Sequence, residues 1–106
     1  MVDKNDMLIE GVIADDVTYK TAETGSKYCT FSIHTETREG SKIVPANTRV
    51  FVFDQRCIDY LKRMNAHEGQ RVSVSAYART GKQDIHGKAI ITTMVTVKDI
   101  HLIKMS

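Results

Sequence analysis

Cations and aromatic rings recur at even spacing in two stretches of this chain, Arg71, Tyr77 and Arg79 in one and Arg49, Phe51 and Phe53 in the other, with Tyr28 beside Lys27 in a third. A guanidinium is a permanent cation with a fork of donors that fits phosphate, and an aromatic ring offers a face on which another flat ring can stack. The chemistry these residues can do together is therefore non-covalent: they can hold a polymer that is charged along its backbone and carries planar groups.

Even spacing matters because successive residues of an extended strand point to opposite sides of the sheet. In Gln70–Thr80, Val72, Val74, Ala76 and Ala78 fall on one face and Arg71, Ser73, Ser75, Tyr77 and Arg79 on the other. Lys27–His34 repeats the pattern, with Cys29, Phe31 and Ile33 opposite Tyr28, Thr30, Ser32 and His34. In Thr48–Phe53, Val50 and Val52 join the apolar side and leave Arg49, Phe51 and Phe53 on the outside, where two phenylalanines mark a contact surface. Thr35–Asn47 reads as a long loop or a floppy hairpin arm and Gly81–Lys88 as a turn-rich loop, and they add Arg38, Lys42, Lys82 and Lys88 as candidate phosphate contacts.

Catalytic and metal chemistry find no support. His34, His67, His86 and His101, with Cys29 and Cys57, show no Cys-x-x-Cys or His-x-x-x-His spacing, so no metal is expected. Asp15-Asp16 is the single adjacent acidic pair and reads as a turn, and no glycine-rich phosphate loop or nucleophile elbow is present. We expect no enzyme and no cofactor. The two cysteines read as buried, reduced thiols in a reducing compartment.

Around these residues the chain reads as β, with one exception. Met7–Ala14 is apolar and β-branched, with Gly11 as a bulge or bend, and Val17–Thr21 continues it after Asp15-Asp16. A hairpin turn at Gly25 leads to the second strand, and Thr48–Phe53 is the third. The exception is Asp54–His67, where Cys57, Ile58, Leu61 and Met64 fall at helical spacing behind a capping Asp54, with Gly69 as the stop. Gln70–Thr80 and Ala89–Ile103 are the last two strands. Three strands, a helix and two strands avoid raw sheet edges by closing, so the expected fold class is all-β: an OB-fold, a five-stranded Greek-key barrel with the helix between strands three and four.

Length and charge agree. The 106 residues fit a single domain, 1–106, and hydrophobic and charged contents of 42% and 26% are those of an ordinary globular protein. The net charge of +2 is unevenly spread: residues 1–53 carry −2 and residues 54–106 carry +4. No apolar run is long enough to cross a bilayer and the first residues are acidic, so a cytoplasmic, nucleoid-associated protein with no membrane partner is expected.

Leu-Ile-Glu-Gly-Val-Ile-Ala near the start, Cys-Thr-Phe-Ser-Ile, Thr-Arg-Val-Phe-Val-Phe, Tyr60-Leu61-Lys62, Gly69-Gln-Arg-Val-Ser-Val, Ala78-Arg79-Thr80 and Ile100-His101-Leu102-Ile103 together resemble the bacterial-type single-stranded DNA-binding protein family (SSB). The resemblance runs nearly the length of the chain. It implies an OB-fold that binds single-stranded DNA, or RNA, in replication, repair or recombination, that assembles as a homodimer or homotetramer through its first strand, and that meets other replication or recombination proteins. Family members stack bases on tryptophans; here the corresponding positions are Thr37-Arg38, Asn47 and Gln83, whereas Phe53 matches a stacking position. The chain ends at Lys104-Met105-Ser106 without the family's acidic-tipped tail, which is similar to primosomal replication protein N, a tailless dimeric relative. The alternative reading is accordingly a primosome accessory, or a protein-interaction OB module with weak nucleic-acid binding.

Overall fold

In the computed structural model, which describes residues 5–103, the chain runs through six strands and one helix: β1 (Met7–Ile13), β2 (Thr18–Thr21), β3 (Lys27–Glu39), β4 (Lys42–Val52), α1 (Gln55–Arg63), β5 (Arg71–Ile85) and β6 (Lys88–Ile103). The ending at Lys104-Met105-Ser106 lies outside the described residues.

Side-chain parity decides what faces inward. Val72, Val74 and Ala76 of β5 are fully buried, as are Cys29, Phe31 and Ile33 of β3 and Val50 and Val52 of β4. With Ile13, Val97 and Ile100 they form one core, against which α1 lays Cys57, Ile58 and Leu61. Each buried Val, Ile, Leu or Phe among them stabilises the fold by roughly 1.5–3 kcal/mol, and the even spacing along β3, β4 and β5 turns the alternate side chains to the outer face.

The sheet closes. β1 pairs with β5 over Met7 to Val12 and with β3 at Val12 and Ile13, β5 pairs with β6, β6 runs parallel to β4 at Val50–Val95 and Phe51–Thr96, and β4 returns to β3. Five strands thus form a ring, the expected OB barrel, and β2 is a short hairpin partner of β3 appended outside it.

Four local expectations are corrected. Of the two readings of residues 35–47 the loop falls and the hairpin arm holds: they continue β3 and β4 as a two-stranded ribbon, in register from Thr35–Ala46 to Glu39–Lys42. Nearly every side chain on that ribbon is exposed, so it carries no apolar period, and Pro45 is tolerated because β4 has only β3 beside it there. Gly81–Lys88 is likewise a ribbon, and it turns at His86 and Gly87, whose φ values of 52° and 78° are both positive, as a type I′ hairpin requires. The helix ends at Arg63 rather than His67, because Asn65 takes a left-handed φ of 52°. Gly11 is no bulge: a Cβ there would lie 2.2 Å from the backbone oxygen of His34, so glycine lets β1 approach β3. The bulge falls instead on β6 at Lys98, where the register steps from Ser75–Asp99 to Ala76–Val97.

The helix is fixed at both ends. Asp54 accepts a hydrogen bond from the Arg56 amide at 2.9 Å, and the Arg56 side chain beside it holds its carboxyl below the usual carboxylate range. Tyr60 Oη accepts the Leu102 amide at 2.9 Å, tying α1 to the last strand.

Candidate nucleic-acid interface

Strand order builds the outer face. Because β6 lies between β4 and β5, one row across the sheet reads Thr30 on β3, Phe51 on β4, Thr96 on β6 and Tyr77 on β5. The strands that carry Arg49, Phe51 and Phe53 on one side and Arg71, Tyr77 and Arg79 on the other are therefore not adjacent. Phe51 and Tyr77 are two strand spacings apart, about 10 Å, with Thr96 between them. Met94, opposite Arg79, is the next β6 residue on this face; it is buried yet belongs to no part of the core cluster.

At one end of the face the side chains converge. The Tyr28 and Phe53 rings stack with centroids 5.4 Å apart and planes inclined by 29°, and Arg79 Cζ lies 4.9 Å from the Phe53 centroid. All four outward aromatics, Tyr28, Phe51, Phe53 and Tyr77, are half-buried, and Arg79 is exposed. Arg79 forms no ion pair among the described residues, so its charge is uncompensated beside two rings.

Arg49 is differently placed. Its Nη2 donates to Asp15 Oδ2 at 2.7 Å and its Nη1 to Thr30 Oγ1 at 3.1 Å, while Asp15 Oδ1 accepts the Ser32 amide at 2.6 Å. Asp15, read from sequence as a turn residue, is therefore the partner that neutralises Arg49.

The remaining candidates divide. By register Arg38 shares the outer face of its ribbon with Arg49 and Phe51, and Lys88 shares that of Tyr77, whereas Lys42 and Lys82 fall on the opposite faces of the same ribbons. Lys27 has inward parity but sits at the strand start, opposite Thr21, and is exposed. Arg71 is not brought to the aromatic cluster. It pairs in register with Val12 and Ile103, about 20 Å along β5 from Tyr77, and lines a cleft of about 340 Å³ with Glu10, His34 and Glu36.

Titration adds one group near that cleft. His34 Nδ1 lies 2.9 Å from Asn47 Oδ1 and Nε2 lies 3.5 Å from Glu36 Oε1; the bond to Asn47 first, then that to Glu36, raises the imidazole above its ordinary value. Cys29 is buried, and burial pushes its thiol up to about 12, so it is a packing residue rather than a nucleophile. Among the described residues no group of three His, Cys, Asp or Glu is placed to hold a metal ion, and no helix is long and apolar enough to cross a membrane.

Sequence reasoning passed over Met94, Thr96 and Asp15. Alternation from Met94 to Val97 does separate two faces, but a segment with apolar residues on both gives no sign of which is outer. Only the parallel pairing with β4 settles it.

The single-strand binding protein family model matches residues 4–103 of the chain. No curated protein matches its sequence. Among solved structures, the SSB of Plasmodium falciparum in complex with ssDNA superposes with a TM-score of 0.80 at 20% identity, covering 98% of each chain, a likeness of fold. The mitochondrial single-stranded DNA-binding protein of S. cerevisiae superposes in one crystal form with a TM-score of 0.71 at 26% identity over 97% of this chain and 98% of that one, and in another with 0.69 at 27% over 96% and 98%.

Proposed function

The chain belongs to the single-strand binding protein family, and from that membership we propose that it binds single-stranded DNA without reading base identity, laying the strand across the outer face of β4, β6 and β5. The observation that carries this reading to particular residues is the cluster of Tyr28, Phe53 and Arg79, in which the Phe53 ring has the Tyr28 ring 5.4 Å away and the Arg79 guanidinium 4.9 Å away. A base stacked on such a ring gains about 1–3 kcal/mol whatever its identity, and a phosphate drawn to Arg79 releases counterions. Phe51 and Tyr77 continue the stacking surface; Arg38 and Lys88 extend the charge along the two ribbons.

On this reading the protein binds DNA without catalysing a reaction and works in replication, repair or recombination. With no tryptophan and few rings on the face, this protein leans on electrostatics, so its affinity falls steeply with salt. The test is fluorescence anisotropy of labelled oligothymidine and of duplex DNA across a salt series. Tight, salt-sensitive binding of the single strand over the duplex is expected; equal binding of both, or no salt dependence, would refute the reading.

A homo-oligomer is part of the proposal. From Met7 to Gly11, β1 is paired with β5 alone, and beside this open edge Leu8 is 71% exposed. A second copy of the chain supplies the missing neighbour. Light scattering measures the mass, and a monomer at working concentration would remove this part. The free, buried Cys29 and Cys57 support a reducing compartment.

A further inference from the structure

Two threonines flank Phe51 in the same row of the outer face, and their hydroxyls are treated differently. Thr30 is 5% exposed and doubly satisfied: Oγ1 donates to the Val50 carbonyl at 2.8 Å and accepts from Arg49 Nη1 at 3.1 Å. Thr96 is 4% exposed, and its Oγ1 is, among the described residues, the buried side-chain polar atom left without a hydrogen-bond partner. A buried hydroxyl is normally paired, since leaving it unpaired forfeits its bonds to water. The orphan sits between Phe51 and Tyr77, in the middle of the surface assigned to nucleic acid, rather than in the core.

From this contrast we infer that Thr96 is a contact residue for the bound strand: its hydroxyl takes a polar atom of a nucleotide, on the base edge or the deoxyribose, when a flanking ring turns aside to stack. A hydroxyl both donates and accepts, so this contact suits any base and adds hold without sequence preference. The inference rests on the reading above that this face binds single-stranded DNA. It explains why a polar residue stands where the neighbouring outward position of β6 carries Met94, and it adds a non-ionic contact to a site otherwise built from stacking and charge.

The test compares Thr96→Val, which keeps the shape and removes the hydroxyl, with Thr96→Ser, which keeps the hydroxyl. Labelled oligothymidine is titrated with each full-length variant over a salt series, and urea midpoints are measured alongside. Thr96→Val is expected to bind about five- to tenfold more weakly, with the plot of log affinity against log salt displaced but parallel, because no phosphate contact is lost. Its urea midpoint should hold or rise, since an unpaired hydroxyl is gone, and Thr96→Ser should bind like the parent. Parent-like binding by Thr96→Val would overturn the inference while leaving the face itself standing; failure of the parent protein to bind the oligonucleotide would overturn both. If Thr96→Val does not fold, Thr96→Ala takes its place, with the same two outcomes.

Discussion

Tyr28 and Phe53 face each other across the β3–β4 pair with ring centroids 5.4 Å apart, and the Phe53 ring also receives the Arg79 guanidinium from β5, a strand that neither neighbours. β3, β5 and the link from β4 to α1 thus meet in one cluster that presents both a stacking surface and a charge. Phe53→Ala removes the shared member. We expect its affinity for single-stranded DNA to fall by about 1–3 kcal/mol, roughly 5- to 150-fold, with the oligomer mass unchanged. Anisotropy and light scattering on the same preparation separate loss of a contact from loss of assembly.

Asp15 holds Arg49 at 2.7 Å on the same face, so a carboxylate sits beside the expected path of a polyanion. Asp15→Asn keeps an oxygen for the Ser32 amide but releases the charge of Arg49. Binding should tighten, by up to about fivefold for an exposed pair, and the log–log salt slope should steepen by about 0.7 as one more phosphate contact forms. Unchanged affinity and slope in a salt titration would mean that Arg49 stays out of the interface.

What could be seen in the sequence was whatever a single strand decides alone. Val72, Val74 and Ala76 against Arg71, Ser73 and Ser75 follow from a pleated backbone with one wet face, and the structure keeps that division. Neighbour relations were not legible in this way. That β6 separates Phe51 from Tyr77 depends on a parallel pairing between residues 45 apart in sequence, which no local pattern encodes. Arg71 shows the same limit: its parity is right, but β5 carries it out to β1 and away from the rings. The ribbon of 35–47 could be read only as one of two alternatives, a loop or a hairpin arm, since an arm whose side chains are nearly all exposed has no apolar period, and the ribbon of 81–88 was hidden by its turn-rich residues.

Tyr60 links the helix to the barrel through the hydrogen bond from the Leu102 amide. Tyr60→Phe leaves the ring in place and that amide without its acceptor. Stability should fall by about 1 kcal/mol, read as a lower urea midpoint with unchanged slope, while oligonucleotide affinity stays at the parent value because Tyr60 lies off the binding face.

Gly11 marks the closest approach of β1 to β3. A methyl group there would meet the His34 carbonyl at 2.2 Å, a backbone atom that cannot turn aside. Gly11→Ala is therefore expected to destabilise the barrel by about 1–3 kcal/mol through overpacking. Gly25→Ala is the control: nothing lies within 4 Å of a Cβ there, although its φ of +89° strains any side chain. A conformational cost without a clash should leave it the milder of the two in urea unfolding.

His34 gives the fold a pH dependence whose sign follows from its partners. Asn47 Oδ1 and then the Glu36 carboxylate favour the protonated ring, so the folded protein holds this proton more tightly than the unfolded chain. A group with a raised folded pKa contributes stability that is fully present below its ordinary value of 6.5 and is lost as pH rises through the raised value. The urea midpoint should accordingly decline as pH climbs upward from 6.5, and His34→Gln should flatten that part of the profile. Glu36→Gln removes the lesser of the two partners and should flatten it only in part; a decline of equal steepness in His34→Gln would assign the effect to another group.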